Sequence, residues 1–261
     1  MAKAPTKALA AKKPAAKKPA AKKPAAKKVA AAVPGDFAGF PKETFAFLAG
    51  IHAHNEKAWF EGHRDLYEAG YVEPGRAFVE ALGARLRTIS PSVQYEAKVN
   101  RSMHRINRDI RFSKDKRPYK EHLNLWFWHG DSKDWHRPGF WFGLGAKEVY
   151  LGIGMYQFEK DVLDTFRQSV IHPRSGKALL AAVTKVKEAG GYTIGGKTRK
   201  LLPRGFETEP DRAEYLLYEG LHAGIELPAE AAAKSDFLDL ATRHYAALWP
   251  IGQWLLTEVA D

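Results

Sequence analysis

Arg105, Arg108, Arg111, Lys116 and Lys120 fall within one short stretch of the chain, with Asp109, Asp115 and Tyr119 among them. These residue types can do three kinds of work. An arginine fork grips phosphate or carboxylate through paired N–H donors, and a lysine adds a mobile point charge, so the five cations can hold an anionic ligand. Asp109 or Asp115 as general base and Tyr119 as proton donor would turn the same cluster into an enzyme site, with the arginines stabilising developing negative charge. The third reading is structural: Arg108 and Arg111 pair with Asp109, Asp115 and acids elsewhere to hold a sheet against a helix. The spacing alone leaves all three open.

The charge of the rest of the chain sharpens the question. Residues 101–120 carry eight cations and two acids. Residues 1–33 carry ten lysines and no acid, which accounts for nearly all of the formal net charge of +11. Residues 34–261 hold 31 cations against 30 anions. The basic stretch is thus an island on a body that is otherwise mildly acidic.

Residues 11–30 are four pentads, AKKPA three times and AKKVA once. Proline at every fifth position forbids a continuous helix, the lysines repel one another, and nothing larger than alanine recurs to build a core. The segment 1–33 is therefore expected to be a disordered, partly extended polycation. It resembles the lysine-alanine-proline tails of linker histones and bacterial histone-like proteins. Lys12, Lys13, Lys17, Lys18, Lys22, Lys23, Lys27 and Lys28 would bind nucleic acid without sequence preference, by counterion release. A solubilising leader is the plainer alternative.

Elements that could position the island begin after residue 34. Helical spacing of apolar residues runs from Pro41 (Phe45, Leu48, Ile51), from Asn55 to Tyr67 (Trp59, Phe60, Tyr67) and from Pro74 to Ile89 (Phe78, Leu82, Leu86). The period then changes: VQYEAKV alternates, and LNLWFWHG, GFWFGLG and VYLGIGMYQF are strand-like runs. Helical patterns return at 161–170, 176–189 and 235–259. Helices, then a meander, then helices predict one α+β domain over 34–261, built on a mainly antiparallel sheet. MHRINRDIRF fits two periods; a strand running into a loop before Pro118 is the expected form, with Arg105, Asn107, Asp109 and Arg111 on one face.

Four of seven tryptophans (Trp126, Trp128, Trp135, Trp141) come directly after the island. Strand alternation puts Trp126 and Trp128 opposite Leu123, Leu125 and Phe127, and Gly152 and Gly154 leave gaps on the face of Tyr150, Tyr156 and Phe158. Core packing is the expectation, with a stacking platform for bases as the sharper alternative. Neither His52, His54 and His63 nor His122, His129 and His136 has metal-ligand spacing, and no Walker loop, nucleophile elbow or dinucleotide fingerprint is present. No metal or cofactor is expected. The absence of cysteine excludes disulfides and thiolate catalysis. With no secretory signal pattern and no apolar run long enough to span a membrane, the cytoplasm is the expected compartment, the tail pointing to the nucleoid.

The string RINRDIRFSKDKRPYKEHL resembles the signature of the domain-of-unknown-function 2461 family of bacteria and fungi, whose usual pattern is Phe-Arg-Ile-Tyr-Arg-Asp-x-Arg-Phe-Ser-x-Asp-Lys-x-Pro-Tyr-Lys. NEKAWFEGHRDLY, GIGMYQFEKDVLDTFR and LLPRGFETEPDRAEYLL extend the likeness from about Phe40 to the C-terminus. His104 and Asn107 replace the Phe and Tyr of the pattern, and Glu209 and Glu219 stand where His and Lys are usual. The resemblance implies an α+β domain and no established activity. It also implies a site centred on Arg105, Arg108, Asp109, Arg111, Asp115, Lys116, Tyr119 and Lys120.

Overall fold

The computed structural model describes residues 37–130 and 136–260, which belong to one compact unit. The tail expected over 1–33, and Trp135, lie outside the described residues. Helix α1 (Lys42–Ala53) starts at Pro41 and buries Thr44, Phe47, Leu48 and Ile51. Phe47, rather than the expected Phe45, completes that stripe.

The helix expected over Asn55–Tyr67 is broken into α2 (Lys57–Gly62) and α3 (Arg64–Tyr67). At the break the His63 ring lies 2.7 Å from the Trp59 carbonyl, on the i−4 acceptor. A π turn over Glu68–Val72 then leads into α4 (Glu73–Ile89). Pro74 has no N–H to give to the turn before it, so the chain passes it in the wider form. Gly70 belongs at that turn for a second reason: a Cβ there would stand 2.4 Å from the Glu43 carbonyl oxygen of α1.

Five strands form one antiparallel sheet: β1 (Leu123–Phe127), β2 (Gly139–Leu144), β3 (Glu148–Met155), β4 (Thr193–Lys197) and β5 (Tyr218–Pro228), in the order β1-β2-β3-β5-β4. The fold is α+β with an antiparallel sheet, as the order of periods predicts. The run at 93–99 is not a strand; it makes only isolated bridges, Gln94 with Trp128 and Val99 with Met103. Conversely, β4 and β5 escape the period analysis. Their sequences, TIGGK and YEGLHAGIELP, put glycine where an alternating strand usually carries a large side chain.

Strand period 2 sends Leu125, Phe127, Phe140, Phe142, Leu144, Val149, Leu151 and Ile153 inward, all essentially fully buried. They face α4 and the long C-terminal helix α8 (Phe237–Glu258), which follows the short α7 (Pro210–Ala213) in the chain. Phe40, Phe78, Phe142 and Phe237 meet ring to ring, with the Phe78–Phe142 centroids 4.8 Å apart. Helices α5 (Lys160–Ile171) and α6 (Pro173–Glu188) pack at the other end, where the Trp254 indole N–H donates to the Ser175 carbonyl at 3.0 Å. Among the described residues no helix is long and apolar enough to cross a membrane.

Candidate functional site

The basic island is a loop throughout, without the strand expected over residues 103–112. Its ends are clasped: Lys120 N–H donates to the Ile106 carbonyl and Arg108 N–H to the Pro118 carbonyl, each at 2.8 Å, around the Asn107–Tyr119 bridge. The charged, proline-containing segment between these ends has no neighbouring strand to extend the ladder. Tyr119 anchors the base. Its ring is buried (5% exposed) and stacks on Phe60 at 4.5 Å, while the Asn55 side chain brackets its backbone N–H and C=O at 3.0 Å each. Burial pushes the Tyr119 hydroxyl up, with Glu61 adding to the shift.

Both aspartates of the island are occupied. Asp109 accepts from Arg111 Nε and Nη2 at 3.0 and 2.7 Å. Asp115 accepts from Arg117 Nη2 at 2.7 Å and Arg108 Nη1 at 2.6 Å. Hydrogen bonds from Arg111 and Arg117, respectively, hold the two carboxyls well below the usual carboxylate range. A base so depressed has little affinity for a proton near neutral pH, which disfavours the acid–base use of Asp109 or Asp115. From Arg117 the network runs on to Glu121, which also meets His52 Nδ1 at 3.1 Å and so ties the loop to α1. Lys116 donates to the Ile110 carbonyl at 2.9 Å. At the tip Phe112 is 93% exposed beneath the Arg111 guanidinium.

Much of the island is thus an internal ion-pair network. Three cations are not fully neutralised by it. The side chains of Arg105 and Lys120 have no hydrogen-bond or ion-pair partner among the described residues, and Arg108, though its Nη1 meets Asp115, has a buried Nε without an acceptor. The clasp puts Arg108 and Lys120 on the same side of the paired ends. Burial, then the neighbouring charges of Arg105 and Arg108, lowers the pKa of the half-buried Lys120 ammonium. The structure therefore places the charges of Arg105 and Arg108 where they act on Lys120, and leaves Arg111 and Lys116 on local partners.

Metal ligation finds no support in geometry: among the described residues no three His, Asp or Glu side chains converge. His129, for instance, is buried between the Ser90 hydroxyl and the Pro138 carbonyl. Sequence reasoning missed Arg167, which is 8% exposed on α5 with Nε and Nη2 lacking hydrogen-bond partners and Phe206 5.7 Å from its guanidinium. The available signal was an arginine on the same buried stripe as Phe166 and Val170. It also missed His222 of β5, because that strand was not recognised.

An α+β domain with a clasped basic loop is the class defined by fold and site together. The family model described as a conserved hypothetical protein (DUF2461) matches residues 43–254, and the chain belongs to that family. The comparison with curated proteins gives no match.

Proposed function

We propose that this protein is a binding module for an anionic ligand bearing a phosphate or carboxylate group, gripped by Arg105, Arg108 and Lys120. The supporting observation is the cluster itself: the charges of Arg105 and Arg108 disfavour the Lys120 ammonium, and Arg108, paired with Asp115 through Nη1, keeps a buried Nε without an acceptor. Arg105 is exposed and Arg108 and Lys120 are partly buried; like charges brought together there destabilise each other, and an anion placed among them reverses that interaction. Arg111, Lys114 and Lys116 supply a positive rim that attracts the ligand toward the loop. The Arg108–Asp115–Arg117–Glu121 chain holds the loop in shape, so Arg108 serves both readings of the island: its Nη1 belongs to the network while its Nε is left without an acceptor. The lysine-rich tail adds sequence-independent attraction to nucleic acid.

Arg108→Met tests the assignment in the full-length chain. Asp115 keeps Arg117 as a partner when Arg108 is lost, so it is not stranded. The pair is also partly solvated, and a partly exposed ion pair contributes about 1 kcal/mol or less. Denaturant unfolding should therefore show stability within about 1 kcal/mol of the unsubstituted protein. Thermal stabilisation by inorganic phosphate or pyrophosphate, present in the unsubstituted chain, should be largely lost. Equal stabilisation of both proteins would refute the assignment.

A further inference from the structure

A second site lies on the other face of the sheet, independent of the basic loop. Strand alternation that sends phenylalanine and leucine inward leaves one row across the outer face: Trp126 opposite Trp141, Trp141 opposite Gly152, and Gly152 opposite Gly224. Two large indoles beside two glycines make a step in the surface. Here a cavity of about 560 Å³ opens, within the roughly 300–1,000 Å³ usual for small-molecule sites.

The rings around it lie over glycine. A Cβ on Gly152 would stand 2.7 Å from the Tyr150 ring, and one on Gly224 would stand 2.3 Å from the Tyr150 hydroxyl. A Cβ on Gly195 would likewise stand 2.3 Å from the His222 ring. Both side chains are therefore laid down along the sheet, where any larger neighbour would lift them. The Trp126 and Trp141 rings, 6.2 Å apart and 56° to each other, rise beside them. Tyr156, 84% exposed, stands at the rim with its ring 5.3 Å from His222.

Polar groups are few, and one is conspicuous. The Nδ1 atom of His222 is buried and has no hydrogen-bond partner. Burial lowers the pKa of this ring, favouring neutral imidazole with one donor and one acceptor nitrogen. Among the described residues that line the cavity none is a carboxylate, and Arg137 is one of them. A sugar would bring several hydroxyls to walls that offer few partners. A flat, neutral ring with hydrogen-bonding atoms on its edge suits both the aromatic faces and the His222 imidazole.

We propose that this cavity binds a planar, uncharged heteroaromatic ring of the nucleobase type, seated against Trp141 and Tyr150 and hydrogen-bonded to the His222 imidazole. Neutral nucleosides (adenosine, inosine, cytidine, uridine) and the free bases are the probes, because neither the tail nor the Arg105–Arg108–Lys120 cluster attracts an uncharged molecule. Calorimetry on the full-length chain should show saturable binding of at least one of them. His222→Phe keeps a flat ring and removes the nitrogen, and should weaken that binding about tenfold. Trp141→Ala should weaken it tenfold or more through lost stacking. Melting curves check that each variant is folded, and His222→Phe keeps the test decisive if Trp141→Ala unfolds.

A short single-stranded oligonucleotide separates the sources of such a ring. If His222→Phe weakens the strand as well as the nucleoside, a base within a nucleic acid can enter the cavity. If it weakens the nucleoside alone, the guest is a small molecule. The proposal is overturned if no neutral nucleoside or base binds at millimolar concentration, or if His222→Phe binds as tightly as the unsubstituted protein. Neither result bears on anion binding at the loop.

Discussion

Removing residues 1–34, so that the chain begins at Gly35, should lower affinity for duplex DNA at low salt by on the order of a hundredfold or more. The deleted segment carries ten lysines and no acid, and the remaining chain is close to neutral overall, with 31 cations against 30 anions. Each phosphate neutralised by a lysine releases a condensed counterion, so binding by such a segment falls as a high power of salt concentration. Fluorescence anisotropy with a labelled duplex, between roughly 50 and 200 mM salt, reads both quantities. The full-length chain should show a steep slope and the shortened one a shallow slope. The basic loop keeps its eight cations of residues 101–120 after truncation, but Arg108, Arg111 and Arg117 are already paired with its own aspartates. Equal affinity and equal salt slopes would show that the tail does not carry the interaction.

The second large effect lies in the core. Phe142→Ala should destabilise the protein by about 3–5 kcal/mol. Phe142 is fully buried on β2, where Phe40, Phe78 and Phe237 meet it from the segment before α1, from α4 and from α8. Truncation removes the ring against which all three pack and leaves a cavity that four separately anchored elements cannot readily close. Denaturant unfolding should show a lower midpoint with an unchanged slope, since the surface exposed on unfolding stays nearly the same. A loss under about 1 kcal/mol would mean that these elements do not share the core described here.

Where side chains follow one clean period, the sequence was legible. Leu125 and Phe127 share a face as expected, Phe140 and Phe142, and Leu151 and Ile153, follow the same alternation inward, and the helices at 160–171, 173–188 and 237–258 lie within a few residues of their patterns. Legibility failed where a tertiary contact replaces local pattern. Gly220 and Gly224 of β5 hide a strand because their space is filled by neighbouring strands: a Cβ on Gly220 would stand 2.1 Å from the Tyr156 carbonyl oxygen. Phe158, expected on the outer face with Tyr150, instead packs on Phe166 at 4.6 Å, because β3 ends at Met155 and the chain turns inward. The aromatic cluster after the island divides in the same way. Its inward phenylalanines are core, whereas Trp126 and Trp141 line a cavity.

At the island, the residue types pointed to anion chemistry but not to the partition among them. Ile106, Ile110 and Phe112 suggested a strand face, yet Ile106 alone is buried, while Ile110 and Phe112 are exposed at the tip. Spacing could not show that Arg111 would fold back on Asp109, or that Arg117 and Arg108 would share Asp115. Both outcomes depend on side-chain reach in a loop closed by Asn55, a residue more than sixty positions away.

The central claim, that Arg105, Arg108 and Lys120 form one anion site, has a direct readout in Lys120. A residue-resolved NMR titration of the lysine side chains in the full-length chain, with and without inorganic phosphate, reports its ammonium. Without phosphate, Lys120 should lose its proton below the usual lysine range, because burial and the charges of Arg105 and Arg108 disfavour the cation. That repulsion costs stability in full below the folded-state pKa of Lys120, and the cost fades as pH rises from there to the unfolded lysine value. Phosphate bound among the three cations should move the titration upward, and Arg105→Met or Arg108→Met should weaken that movement. A Lys120 titration unchanged by saturating phosphate would contradict the account.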